Sequence, residues 1–236
     1  MKHEVPTAAA TTLTMAALTL KRLARGRVLW VGAIIAALPV MFGALLRARR
    51  GPEPAALGDL LWFATLLIAV LPGLFVASSV GEDIEDRTTT YLWSRPVQRG
   101  AIVIGKLVAI LPILWVLVLA SWAASTQVGA QLAPTPNALF AVAGGVTAAA
   151  MIAAALATLV PRHGLALTTV YMLFIDFPIG ALPASLRYIS VSHHVHTIAS
   201  VRGRAADAPS LAAIALGVIC VVWLAIALRR ISRLEA

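Results

Sequence analysis

Apolar residues gather into six long runs, approximately Val28–Leu46, Leu60–Val80, Ile102–Ala124, Ala138–Val160, Leu165–Leu182 and Leu211–Leu228. A bilayer's hydrocarbon core is about 30 Å thick and an α-helix rises about 1.5 Å per residue. Runs of about 18 residues or more therefore read as membrane-spanning helices. The pattern predicts an all-α integral membrane protein with six transmembrane helices, in one domain covering residues 1–236 without an internal repeat or linker. The fifth run is interrupted: it contains Asp176, and Pro178 and Pro183 are expected to break or end its helix. Polar positions are concentrated elsewhere, most densely in GEDIEDRTTTYLWSRPVQRG, residues 81–100, between the second and third runs.

Before the first run, Leu13, Ala16, Leu20 and Ala24 share one helical face, with Lys21, Arg22 and Arg25 mostly opposite. This predicts either a helix lying in the membrane interface or an ordinary basic flank of the first span. The first apolar run begins only near Val28 and no small-x-small site follows it, so this end does not read as a secretory signal.

Composition agrees with the pattern. The chain of 236 residues is 60% hydrophobic and only 12% charged, whereas soluble domains are about half apolar and about a quarter charged. The net charge of +9 does not point to nucleic acid, because no basic patch is interleaved with aromatics. It bears instead on topology. With six spans, Arg47, Arg49, Arg50, Arg187, Arg202 and Arg204 fall on one side and every other Lys and Arg on the other. The positive-inside rule then makes both termini and residues 81–106 cytoplasmic. The single cysteine, Cys220, lies in an apolar run and excludes a disulfide framework.

In the 81–106 segment, Glu82, Asp83, Glu85 and Asp86 interrupt the apolar pattern, and Ile84, Thr88, Tyr91 and Leu92 share a helical face. The second span is expected to continue past the membrane surface as a helix. Pro96 forces a turn and is suited to the first turn of a new helix. The product is a short cytoplasmic helix-turn-helix with Tyr91, Leu92 and Trp93 near its tip. Aromatics there need a partner or a membrane surface to cover them; the alternative is an interfacial belt beside a solvated acidic face.

Ser94-Arg95-Pro96-Val97, Arg99 and Gly105-Lys106, after an acidic stretch and a Thr-Thr-Tyr-Leu step, resemble the first cytoplasmic loop of ABC transporter permeases of the exporter-like type 2 (ABC-2) family. The resemblance implies that the loop is a coupling helix between spans 2 and 3 that docks on a separate ATPase. Glu82, Asp83, Glu85, Arg87, Tyr91, Leu92, Trp93, Arg95, Pro96 and Arg99 would form the contact. It also implies a non-catalytic permease in a bacterial-type inner (plasma) membrane, working with a second permease, copy or paralogue. ATP and Mg²⁺ would be held by the ATPase and no cofactor by this chain.

Other motifs carry competing readings. Gly100-Ala-Ile-Val-Ile-Gly105-Lys106-Leu107 approaches the phosphate-binding G-x-x-x-x-G-K-[ST]. It puts Leu107 where a hydroxyl should meet Mg²⁺, and it opens a membrane span instead of following a strand. His193, His194 and His196 are metal-ligand types, but their spacing matches no helical zinc pair and no acid or cysteine is near in sequence; interfacial histidines are the alternative. Asp176 is the only carboxylate inside a run, which reads as a substrate-path or gating residue or as an interfacial residue paired with Arg187. Gly145 and Ala149 form a small-xxx-small pair suited to close packing inside the chain or at a dimer seam. Two other function classes remain from these residues: an intramembrane enzyme, or a proton-coupled secondary transporter, built on Asp176 or the histidines. The substrate is not legible from apolar spans.

Overall fold

The structure is a computed structural model that describes residues 7–50, 57–85, 99–183, 185–199 and 208–233, with the side chains of residues 50, 85 and 99 outside that description. Helix α1 (Ala8–Arg25) opens on Thr7, whose hydroxyl accepts from the Ala10 N–H, an ordinary N-cap. Gly26, in extended conformation, separates it from α2 (Arg27–Arg50). Helix α3 (Leu57–Pro72) passes through a π-helical segment, Gly73–Ala77, into α4 (Ser78–Glu85). Then come α5 (Arg99–Gly129) and α6 (Pro136–Leu159). The fifth span is built in pieces: a 3₁₀ turn (Pro161–His163), α7 (Gly164–Val170), a π-helical segment (Tyr171–Asp176) and α8 (Phe177–Ala181). A 3₁₀ turn (Ser185–Ile189) and the short α9 (Val191–Ile198) lead to α10 (Pro209–Arg233).

All six expected spans are present as long apolar helices, at Arg27–Arg49, Leu57–Ile84, Gly100–Gly129, Pro136–Leu159, Pro161–Ala181 and Pro209–Arg233. Among the described residues there is no strand, as expected where every backbone group must be satisfied within its own segment.

Helix α6 is the centre. It touches α3, α5, α7, α9 and α10, and Ala141 to Ala157 are almost continuously buried. Small side chains allow this, because helix association in lipid relies on van der Waals approach and not on exclusion of water. Gly145 and Ala149 are consumed inside the chain. A Cβ on Gly145 would stand 2.5 Å from Val195 Cγ2, and Ala149 is fully buried, so this pair has no surface for a dimer seam. Helices α2 and α5 meet through Gly43 and Gly129, where a Cβ on Gly129 would lie 3.1 Å from the Gly43 Cα. The Ser121 hydroxyl adds a hydrogen bond to the Ala36 carbonyl. On the outside, α2 exposes Trp30, Ile34, Leu38, Met41 and Leu45, and α10 exposes Leu211, Ile214, Val218 and Val221. These stripes suit a lipid environment.

Both π segments adjoin a proline. Pro72 has no N–H to return to the preceding turn, and the widened turn after it leaves the Ser78 N–H bonded to the Gly73 carbonyl. The Ser78 hydroxyl then donates to the Leu74 carbonyl. In the fifth span the Phe177 N–H reaches back to the Met172 carbonyl, directly before Pro178. Pro178 thus reshapes the helix, which ends at Ala181, ahead of Pro183. Prolines and single π turns are both recognised sources of helix irregularity.

Candidate functional site

Polar side chains collect at two places in the bundle. The first is the end carrying residues 81–106, where α4 leaves the core between α1 and α5. Lys106 is 3% exposed although it lies on a membrane-spanning helix. Its ammonium pairs with the Asp83 carboxylate and donates to the Ser79 carbonyl. Asp83 also faces Arg22 of α1, with Nη1 to Oδ1 at 3.8 Å, and Arg22 pairs with Glu82. One carboxylate therefore ties α4 to α5 and, through Arg22, to α1. A buried cation of this kind is held only where the partner geometry compensates its lost hydration. Beside it lies a cavity of about 220 Å³ lined by Met15, Arg22, Phe75, Ser79, Asp83 and Lys106, among others.

Two glycines set the backbones around this ion-pair cluster. A Cβ on Gly105 would stand 2.7 Å from the Thr12 carbonyl oxygen and 2.8 Å from Met15 Cβ, so α1 lies directly on α5 there. A Cβ on Gly81 would stand 2.5 Å from the Pro161 carbonyl oxygen, pressing α4 onto the turn that opens the fifth span. The face of α1 turned inward carries Thr11, Thr19 and Leu23, while Leu13, Leu18 and Leu20 are exposed. The expected apolar face of α1 thus points mainly outward, and a face of small and hydroxyl residues makes the helix contact.

Of the loop residues singled out in the sequence, Glu82 and Asp83 enter this cluster as intramolecular partners and not as a merely solvated acidic face. Glu85 ends α4 and Arg99 begins α5. Arg87, Tyr91, Leu92, Trp93, Arg95 and Pro96, with the helical tip expected of them, lie outside the described residues. The stretch from Gly100 to Leu107 that approaches the phosphate-binding pattern is helix throughout. Gly105 serves packing and Lys106 binds a carboxylate, so there is no phosphate loop.

The second place is at the opposite end of the bundle. Asp176, 2% exposed, closes the second π segment. Its Oδ1 accepts from the Val191 N–H at 2.7 Å, and Oδ2 from the Ser192 N–H at 3.0 Å and the Ser190 hydroxyl at 3.3 Å. The Ser190 hydroxyl also lies 2.9 Å from the Asp176 carbonyl oxygen and accepts from the His193 N–H at 3.2 Å as the N-cap of α9. Asp176 thus sits on the first N–H groups of a short helix, where the orphan donors and the dipole both favour an anion. The carboxylate's partners are thus Val191, Ser192 and Ser190, and not Arg187, the partner considered from the sequence. Gly180 completes the joint, since a Cβ there would come 2.4 Å from Ser192 Oγ and 2.5 Å from Ser190 Oγ.

The histidines of α9 do not converge. His194 Nε2 faces the Tyr188 carbonyl at 2.9 Å, which assigns the proton to Nε2 because a carbonyl only accepts. His196 Nε2 lies 3.4 Å from the Thr65 hydroxyl of α3, and the His193 ring packs edge-on against Tyr188. Among the described residues no group of three or more His, Cys, Asp or Glu side chains is arranged to hold a metal.

Several of these contacts were not anticipated: the Lys106–Asp83 pair, the approaches at Gly81 and Gly105, and the serines that meet Asp176. The Gly-Lys step and the Ser-x-Ser before the histidines were visible as residues, but their partners are distant in sequence. No curated protein matches the chain. A family model described as ABC-2 family transporter protein matches residues 19–178, from α1 through Asp176 and including the whole 81–106 segment. That match spans about two thirds of the six-span chain, and the chain belongs to the ABC-2 family of transporter membrane proteins.

Proposed function

We propose that this chain is the membrane-spanning permease subunit of an ATP-driven exporter, coupled to a separate ATPase through residues 81–106. The observation that carries the reading is the ion-pair cluster at the root of that segment. Asp83 binds Lys106 and faces Arg22, so a displacement of α4 is passed to α5 and α1 together. A stiff extension of a span, tied to its neighbours where it leaves the core, suits the task of turning motion of a docked ATPase into motion of the spans. ATP and Mg²⁺ belong to the partner, and a second permease, copy or paralogue, completes the assembly.

The exposed Leu13, Leu18 and Leu20 of α1, beside Lys21, Arg22 and Arg25, support a helix in the inner face of the plasma membrane. The positive-inside bias supports cytoplasmic termini in this reading. The rival readings receive less support. The Asp176 oxygens are taken up by the end of α9, and His194 and His196 by Tyr188 and Thr65, which suits structural joints better than an intramembrane enzyme or a proton relay.

The test is copurification of the tagged chain with an ATPase from the native membrane, with and without Leu92→Asp and Trp93→Asp together. The double variant should enter the membrane and lose the ATPase. An undiminished complex would refute docking through this loop.

A further inference from the structure

The polar joint at Asp176 has a geometry that ordinary helix capping does not require. The carboxylate belongs to a span, and the helix it caps is a separate piece of chain folded back into the bundle. Six of the eight residues of α9 are buried, among them Ser192, His194 and His196. Besides meeting Asp176, it packs against α6 and α10 and touches α3. Val195 lies over Gly145 of α6 and Ile68 of α3, which themselves meet: a Cβ on Gly145 would stand 2.5 Å from Val195 Cγ2 and 3.0 Å from Ile68 Cδ1. His196 reaches Thr65 on the same stretch of α3. Helix α9 therefore covers the α3–α6 seam from the end opposite the 81–106 segment. A helix this short is not self-supporting, because nucleation outweighs the few bonds it gains. Packing on α6 and α10 supports it along its length, and Asp176 anchors its N-terminus.

We infer that Asp176 is a positioning residue that holds α9 as a closure over the α3–α6 seam. If the chain is the permease proposed above, α9 is the element that must move for this seam to open on the outer side. The chemistry needed is that of a carboxylate. Two acceptor oxygens meet two backbone N–H groups, and an amide would turn an NH₂ donor toward one of them.

The inference can be read without an ATPase or a known substrate. Ile68→Cys is introduced in a Cys220→Ala chain, which removes the only native cysteine. It is labelled in sealed membranes with an impermeant maleimide added to the side opposite the termini. Asn137→Cys, at an exposed position at the same end of the bundle, reports folding and access. Ile68→Cys should label slowly with Asp176 intact. Asp176→Asn should speed labelling by about tenfold, and Ser190→Ala, which removes the N-cap and one bond to the carboxylate, by severalfold, with Asn137→Cys unchanged. If Asp176→Asn fails to insert as a monodisperse protein, Ser190→Ala alone decides. Labelling within about twofold of the parent in every variant that folds overturns the inference. Because no partner is present, that outcome leaves ATPase docking untouched, and loss of docking leaves this assay untouched.

Discussion

Breaking the Lys106–Asp83 pair should reveal how firmly α4 is tied to its neighbours. Removing one member of a fully buried ion pair costs about 3–5 kcal/mol, because the remaining charge is left without compensation. The two members are not equally placed. The Lys106 side chain is 4% exposed and that of Asp83 is 20% exposed. Asp83→Ala leaves a buried ammonium with the Ser79 carbonyl alone, so the loss should reach the full range of about 3–5 kcal/mol. Lys106→Met keeps the volume and leaves Asp83 with partial access to water and with Arg22 at 3.8 Å, which lowers the expected loss to about 1–2 kcal/mol. The double variant should cost about as much as Lys106→Met, since no buried charge remains. The predicted coupling then equals the Asp83→Ala loss, about 3–5 kcal/mol, far above the roughly 0.5 kcal/mol within which independent sites add. The assay is a double-mutant cycle on reversible unfolding of the purified chain in mixed micelles. Additive losses would refute the reasoning, because they would mean that the pair behaves as a solvated surface contact.

Other substitutions test the backbone approaches around the same cluster. Gly105→Leu should lift α1 from α5, because even a Cβ would collide with the Thr12 carbonyl oxygen at 2.7 Å. Faster proteolysis within residues 8–25 while the spans stay intact would report it, and unchanged protection would count against the contact. Gly81→Val should destabilise by about 1–3 kcal/mol, the usual cost of overpacking, since Pro161 offers backbone and not a movable side-chain tip. Gly217→Ala is the control: a Cβ there meets nothing within 4 Å, so unfolding should be unchanged or slightly harder through improved helix propensity.

The spans were legible because hydrophobic length is a local property. A run such as Ile102–Ala124 must be helical and must cross the membrane whatever its neighbours are, since lipid satisfies no backbone group. The break in the fifth span was legible for the same reason: Pro178 lacks a donor wherever the helix is placed. Site geometry was not local. Asp83 and Lys106 belong to different helices, and Arg22 stands 60 residues before Glu82, so their pairing depends on how α1, α4 and α5 are brought together. Asp176 could be recognised as an anomaly from its apolar surroundings, yet its partners are the first N–H groups of α9, and backbone donors carry no sequence signature. The amino-acid sequence by itself determined the number of spans, their helical state and where the polar segments interrupt them. Only the tertiary structure decided which charge answers which, because the cost of burying a charge is offset by a partner in space, and adjacency in space is set by packing at Gly81, Gly105 and Gly145.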